Sequence, residues 1–284
     1  MGQSEPGGTP DPCWRLSVTD EELLALHDDP RGVVMLPYAA TLPPERLAAA
    51  VETARRGLVL RGLLSPQALR AHLPPEQANG GDGWDGTFGI AGITGMAGMV
   101  CDLFMVRDNA EAVLAVQRTT PAGPPLLRYL HLVEDTVLVE DVTAEGVHLF
   151  GVLDRADLPG LLQAFLVPPD AVDGTAPVRL GQATGNAEAD PRPGPDIGAL
   201  AQAAVTADVV LRQIGDGADA DHPPDLTGFF LGAAGCHRVV ARVGAPSPLI
   251  AYPVPAARVG DLVAALLEPG GEPGVHPADG RLKA

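Results

Sequence analysis

Short apolar runs broken by turn residues fill the centre of the chain. Between Met99 and Pro168 they are Val100–Val106, Val113–Val116, Leu126–Val133, Thr136–Val142 and Val147–Leu153, with Asn109 and Gly146 at two of the junctions. Glu134-Asp135 leaves only two residues between β-rich runs, the spacing of a tight hairpin. From Ala156 to Val167 the period becomes helical, and Pro168 stops it. The pattern predicts an antiparallel meander closed by one helix.

The same pattern returns near the C-terminus. A gapless shift of 101 residues lays Tyr129–Pro168 over Phe230–Pro269. Leu130 then meets Leu231, Leu138-Val139 meets Val239-Val240, Leu149 meets Ile250, and Leu161-Leu162 meets Leu262-Val263. Pro168 and Pro269 fall together as helix stops. Two copies are too few for a solenoid or propeller. The expected fold class is α+β: two pseudo-symmetric halves, each an antiparallel β-meander closed by a C-terminal helix, with additional N-terminal helices.

Ahead of the meander, Cys13–Val18 reads as a strand, and Thr19-Asp20-Glu21-Glu22 has capping-box spacing for a short helix through His27. Val33–Leu36 is β-prone. Pro43-Pro44-Glu45 opens a long helix with Leu47, Val51, Ala54 and Leu58 on one face, and Ser65-Pro66 starts another through Leu73. In the second half a helix through Val205 and strands over Ala207–Ile214, Thr227–Ala233, His237–Val243 and Leu249–Val254 precede the closing helix Ala256–Leu267. The implied organisation is a flexible tail over 1–12, an α+β half over 13–168, a linker or mobile loop over 169–195, a second α+β half over 196–269, and a tail over 270–284.

Composition narrows the function classes. An apolar content of 46% with mean hydropathy +0.13 is that of a folded globular chain. A net charge of −17 argues against nucleic acid and against anionic membrane surfaces as partners. No apolar run approaches the ~18 residues of a membrane span. Met1–Pro12 has neither the basic start nor the apolar centre of a signal peptide. Cys13, Cys101 and Cys236 are far apart, which fits a reducing cytoplasm and no zinc site.

Candidate chemistry is sparse. Gly81–Gly86 matches the G-x-G-x-x-G spacing, but a helix and Pro-Pro precede it where a dinucleotide site needs a strand. Gly86, Gly89, Gly92, Gly95 and Gly98 recur every third residue without the prolines of collagen. Asp216, Asp219, Asp221 and His222 form the densest polar cluster, and Pro223-Pro224 breaks any EF-hand pattern there. His131 and His148 lie on strands that can place them as neighbours across the sheet, in a structural or solvent-facing role. Glu140 and Asp141 point to opposite faces of one strand, so neither can serve the other as acid or base. No catalytic residue, cofactor or metal is expected.

The order of elements resembles the EspG family, the cytosolic chaperones of type VII (ESX) secretion in actinobacteria. The resemblance rests on Trp14–Leu26, on the Leu-Pro-x-x-Arg-Leu helix from Leu42 leading to Arg61–Leu64, on Asn109–Val116, and on the paired strand-then-helix endings Leu149–Leu166 and Ile250–Leu267. It spans roughly Trp14 to Pro269. The glycine run and the Pro-rich hairpin at Thr120–Pro125 depart from the family pattern. What the resemblance implies is two pseudo-symmetric α+β halves, and a non-catalytic chaperone or adaptor that binds PE–PPE-like helical heterodimers and keeps them soluble for export. A homodimer is compatible with it, and no local motif carries a family binding residue over. The surfaces expected to meet a partner are the hairpin Thr119–Leu126, with Thr119, Thr120 and Leu126, and the outer side of the closing helix, with Arg258 and Asp261. The alternative is a small-molecule-binding or regulatory α+β protein of unknown ligand.

Overall fold

The computed structural model describes residues 12–27, 33–64, 96–182, 197–214, 226–241 and 248–267. The glycine run up to Gly95, the Ser65–Leu73 helix and the acidic cluster at 216–222 lie outside them.

Ten strands and six α-helices appear among the described residues. The strands are β1 (Cys13–Thr19), β2 (Ala112–Thr119), β3 (Leu126–Val133), β4 (Thr136–Val142), β5 (Val147–Asp154), β6 (Val178–Gln182), β7 (Val205–Gln213), β8 (Leu226–Leu231), β9 (His237–Ala241) and β10 (Pro248–Pro253). The helices are α1 (Asp20–Leu26), α2 (Pro44–Leu60), α3 (Met96–Asp108), α4 (Leu158–Leu166), α5 (Ile197–Ala201) and α6 (Val259–Ala264). The chain falls into two compact units. The larger comprises residues 12 and 13, residues 110–139 and the described residues from 152 onward; the smaller comprises the described residues of 14–109 with 140–151. Strands β1, β4 and β5 contribute residues to both.

In the larger unit the strand order is β4-β3-β2-β7-β8-β9-β10-β6. At its centre β2 and β7 pair antiparallel from Ala112↔Gln213 to Thr119↔Thr206. Outward from that pair each half repeats the same meander. The 101-residue shift carries the 3-10 turn Arg155–Asp157 onto Ala256–Arg258, and α4 onto α6 with its final turn Ala265–Leu267. The two pseudo-symmetric halves expected from the sequence are therefore present. Glu134-Asp135 joins β3 to β4 as a two-residue hairpin, with Glu134 at φ +50°. Within the 169–195 stretch, Val178–Gln182 forms β6 and pairs with β10.

Helices α4 and α6 pack on each other and on one sheet face. Leu158, Leu161, Leu162 and Leu166 of α4 and Val259 and Val263 of α6 are buried against Leu114, Val116, Leu130, Val209 and Phe229. Leu262, Leu266 and Leu267 join this core only partly buried. Burial of this kind stabilises at about 25 cal/mol per Å² of apolar surface. Gln163 on α4 stitches the helices together: its side-chain amide donates to Ala256 O at 2.9 Å, and its Oε1 accepts from Gly260 N at 2.9 Å. On the other face Val178, Leu200, Val239 and Ala251 form a smaller apolar cluster with Leu180, Phe230 and Leu249.

The smaller unit holds the order β1-β5-β4 with α1, α2 and α3. The capping box forms as expected: Thr19 Oγ1 accepts from Glu22 N at 3.3 Å, and the Glu22 carboxylate accepts from Thr19 N at 3.1 Å. Two expectations fail here. Val100–Val106 is not the first strand of the meander but the body of α3, buried at Val100, Leu103 and Arg107. A continuous apolar run fits a buried strand or a buried helix equally, and here the three- and four-residue spacing prevails. Val33–Leu36 forms no strand; turns follow it, with Ala40 N donating to Leu36 O at 2.9 Å.

Candidate functional site

The hairpin between β2 and β3 leaves Thr119 and Thr120 half-buried and Leu126 44% exposed. Thr119 is the last β2 residue paired to β7, and Leu126 faces Arg118 across the hairpin. The base of the hairpin is tied to α4, because the Arg128 guanidinium lies 4.0 Å from the centroid of the Phe165 ring and Arg118 lies 5.9 Å from it. Such cation–π contacts are worth about 0.5–2 kcal/mol. This hairpin thus has a fixed base and an exposed leucine where β3 begins.

On the closing helix, Arg258 Nε and Asp261 Oδ2 form an ion pair at 2.7 Å, with 66% and 49% of the side chains exposed. Both point to solvent, as the helical spacing requires. The structure pairs them with each other.

A different constellation lies in the smaller unit. His148 on β5 sits between two carboxylates. Its Nε2 is 2.7 Å from Asp20 Oδ1 and its Nδ1 is 2.7 Å from Glu140 Oε1. Arg107 Nε on α3 donates to Glu140 Oε2 at 3.1 Å. Asp20 Oδ2 accepts the backbone N–H of Tyr38 and of Ala39, both at 2.8 Å. All four charged side chains are buried. Burial pushes the His148 imidazole down, but the hydrogen bonds and charges of Asp20 and Glu140 outweigh it, and its pKa stands above the ordinary value. Asp20, Glu140 and His148 have no exposed surface.

Of the sequence readings, Glu140 and Asp141 do face opposite ways, with Glu140 buried and Asp141 half-exposed. His131 pairs with Val113 on β2, and it belongs to the larger unit while His148 belongs to the smaller. The signal for the cluster was a pair of polar residues, Glu140 and His148, at inward positions of otherwise apolar strands. Their partners come from α1 and α3, up to 128 residues away. Among the described residues no group of three His, Cys, Asp or Glu is arranged to hold a metal. None of their helices is long and apolar enough to cross a membrane.

No protein-family model and no curated protein matches this chain. Among solved structures it is similar to the type VII secretion system chaperone EspG5 of Mycobacterium tuberculosis, solved in complex with a PE25–PPE41 dimer. The likeness has 10% sequence identity and a TM-score of 0.43, and covers 88% of this chain and 94% of that one.

Proposed function

We propose that this chain is a non-catalytic chaperone or adaptor of the cytoplasm that binds type VII secretion substrates, PE–PPE-like helical heterodimers, and keeps them soluble for export. The observation that supports it is the duplicated half. The sequence resemblance to the EspG chaperones implies two pseudo-symmetric α+β halves, and the strands and helices repeat outward from the β2–β7 pair in that way. Fold by itself does not fix function; the client class comes from the resemblance.

The surfaces proposed for the client are the hairpin edge with Thr119, Thr120 and Leu126, and the outer side of the closing helix with Arg258 and Asp261. Leu126 offers an apolar contact for a client's exposed tip, whose shielding from water is what a holding chaperone supplies. Affinity purification from the native host followed by mass spectrometry tests the reading. A PE–PPE-like pair as the dominant partner supports it; a small molecule retained with no protein partner contradicts it.

A further inference from the structure

The second half does not repeat the buried pair His148 and Glu140. Shifted by 101 residues, His148 corresponds to Leu249 and Glu140 to Ala241, and Leu249 packs in the apolar cluster of Val178, Leu200, Val239 and Ala251. The second half thus fills the equivalent position with hydrocarbon. Replacing buried ion pairs by well-packed apolar groups is often neutral or stabilising, so four buried charges in the first half call for another reason.

Their geometry supplies one. Both imidazole nitrogens lie 2.7 Å from a carboxylate oxygen. A neutral imidazole carries one N–H, so one of the two contacts would set a lone pair against a lone pair. Each carboxylate's other oxygen already receives donors, from Arg107 on Glu140 and from Tyr38 N and Ala39 N on Asp20. With both carboxylates ionised, the imidazole furnishes both protons and is itself a cation. The charged groups facing His148 among the described residues are Asp20 from α1, Glu140 from β4 and, behind Glu140, Arg107 from α3. Phe150, stacked with His148 at 6.3 Å between ring centroids, brings no charge. Helix α2 packs on α1, but its flanking Arg61 pairs with Glu22.

We propose that Asp20, His148, Glu140 and Arg107 form a proton-operated clasp: while the imidazole holds both protons it fixes the Tyr38–Ala39 turn, through Asp20, to β5, and loss of one proton releases that turn. Glu140 keeps Arg107 when His148 is neutral, so the contact that fails is the one to Asp20. A buried carboxylate without a cation is costly, and Asp20 relieves it by turning to water, giving up Tyr38 N and Ala39 N. Tyr38, at the head of that turn, is 42% exposed. The clasp stands independently of the proposed client.

The test is made on the full chain by NMR, following the His148 ring nitrogens and the exchange of the Tyr38 and Ala39 amides from about pH 6 to 10. The expected result is a His148 midpoint above that of histidine in the denatured chain, with protection of both amides falling by more than about tenfold, the equivalent of one pKa unit, at that same midpoint. The fall is counted beyond intrinsic base catalysis. In His148→Gln, protection should show no such step. A His148 midpoint at or below the denatured value overturns the proposal, as does amide protection that follows intrinsic exchange alone or a step that persists in His148→Gln. Should His148→Gln fail to fold, the titration of the native chain decides.

Discussion

Gly260 on α6 lies directly against Pro159 on α4, its own counterpart 101 residues earlier in the chain. A Cβ on Gly260 would fall on the Pro159 carbonyl oxygen and within 2.9 Å of Gln163 Cβ. Equivalent residues meet where two copies face each other, so this contact marks the seam of the repeat. Gly57 on α2, by contrast, has open space around its missing Cβ. Gly260→Ala should therefore cost about 1–3 kcal/mol through overpacking. Gly57→Ala should gain about 0.5–1 kcal/mol from helix propensity. Calorimetric melting of the two variants gives the comparison; a Gly260→Ala protein as stable as the native one would mean that the helices do not approach so closely.

A second glycine holds the clasp's geometry. Gly146 has φ +76°, and a Cβ there would lie 2.6 Å from Tyr38 Cβ and 2.8 Å from Asp20 Cγ. Its carbonyl also accepts Asp20 N at 2.8 Å. Gly146→Ala combines a left-handed backbone with a clash, and should lose at least about 2 kcal/mol. Chemical denaturation reads this directly.

Stability should fall on the alkaline side. His148 has a folded pKa above its ordinary 6.5, raised by Asp20 and Glu140 against the opposing effect of burial. The charged imidazole thus contributes stability that is complete below the unfolded value and is lost as pH rises through the folded one. Glu140→Gln removes one carboxylate and should lower the midpoint of that loss. It should also destabilise by about 3–5 kcal/mol, since Arg107 is left buried without its anion. Urea denaturation across the alkaline range, native chain beside variant, provides the check.

How much of this was legible in the sequence varied with the range of the interaction. The capping box at Thr19 and Glu22, the Glu134-Asp135 hairpin and the register of the repeat are local or periodic, and each appears in the structure. Helix α3 was misread as a strand because an apolar run carries no period of its own when its polar gaps are few. Strand β6 hides in a Gly- and Pro-rich stretch and is recognisable only from its pairing with β10. The His148 cluster draws on α1, α3, β4 and β5, so no window along the chain contains it. Asp20 looked like an ordinary acidic first-turn residue; its second oxygen's hold on Tyr38 and Ala39 is tertiary.

The closing helix separates stability from binding. Arg258 and Asp261 are an exposed pair, and such pairs contribute only about 0–1 kcal/mol. Exchanging them (Arg258→Asp with Asp261→Arg) keeps opposite charges together and should barely shift the melting temperature. If this helix lines the client interface, the exchange weakens capture of the client. Unchanged capture would place the interface on the hairpin edge at Thr119, Thr120 and Leu126.

Co-expression of this chain with a PE–PPE-like pair from its own genome neighbourhood, followed by size-exclusion chromatography with light scattering, tests the central claim most directly. The account predicts that the pair stays soluble and co-elutes with the chain in one complex. A pair that remains soluble without the chain and elutes separately from it would contradict the account.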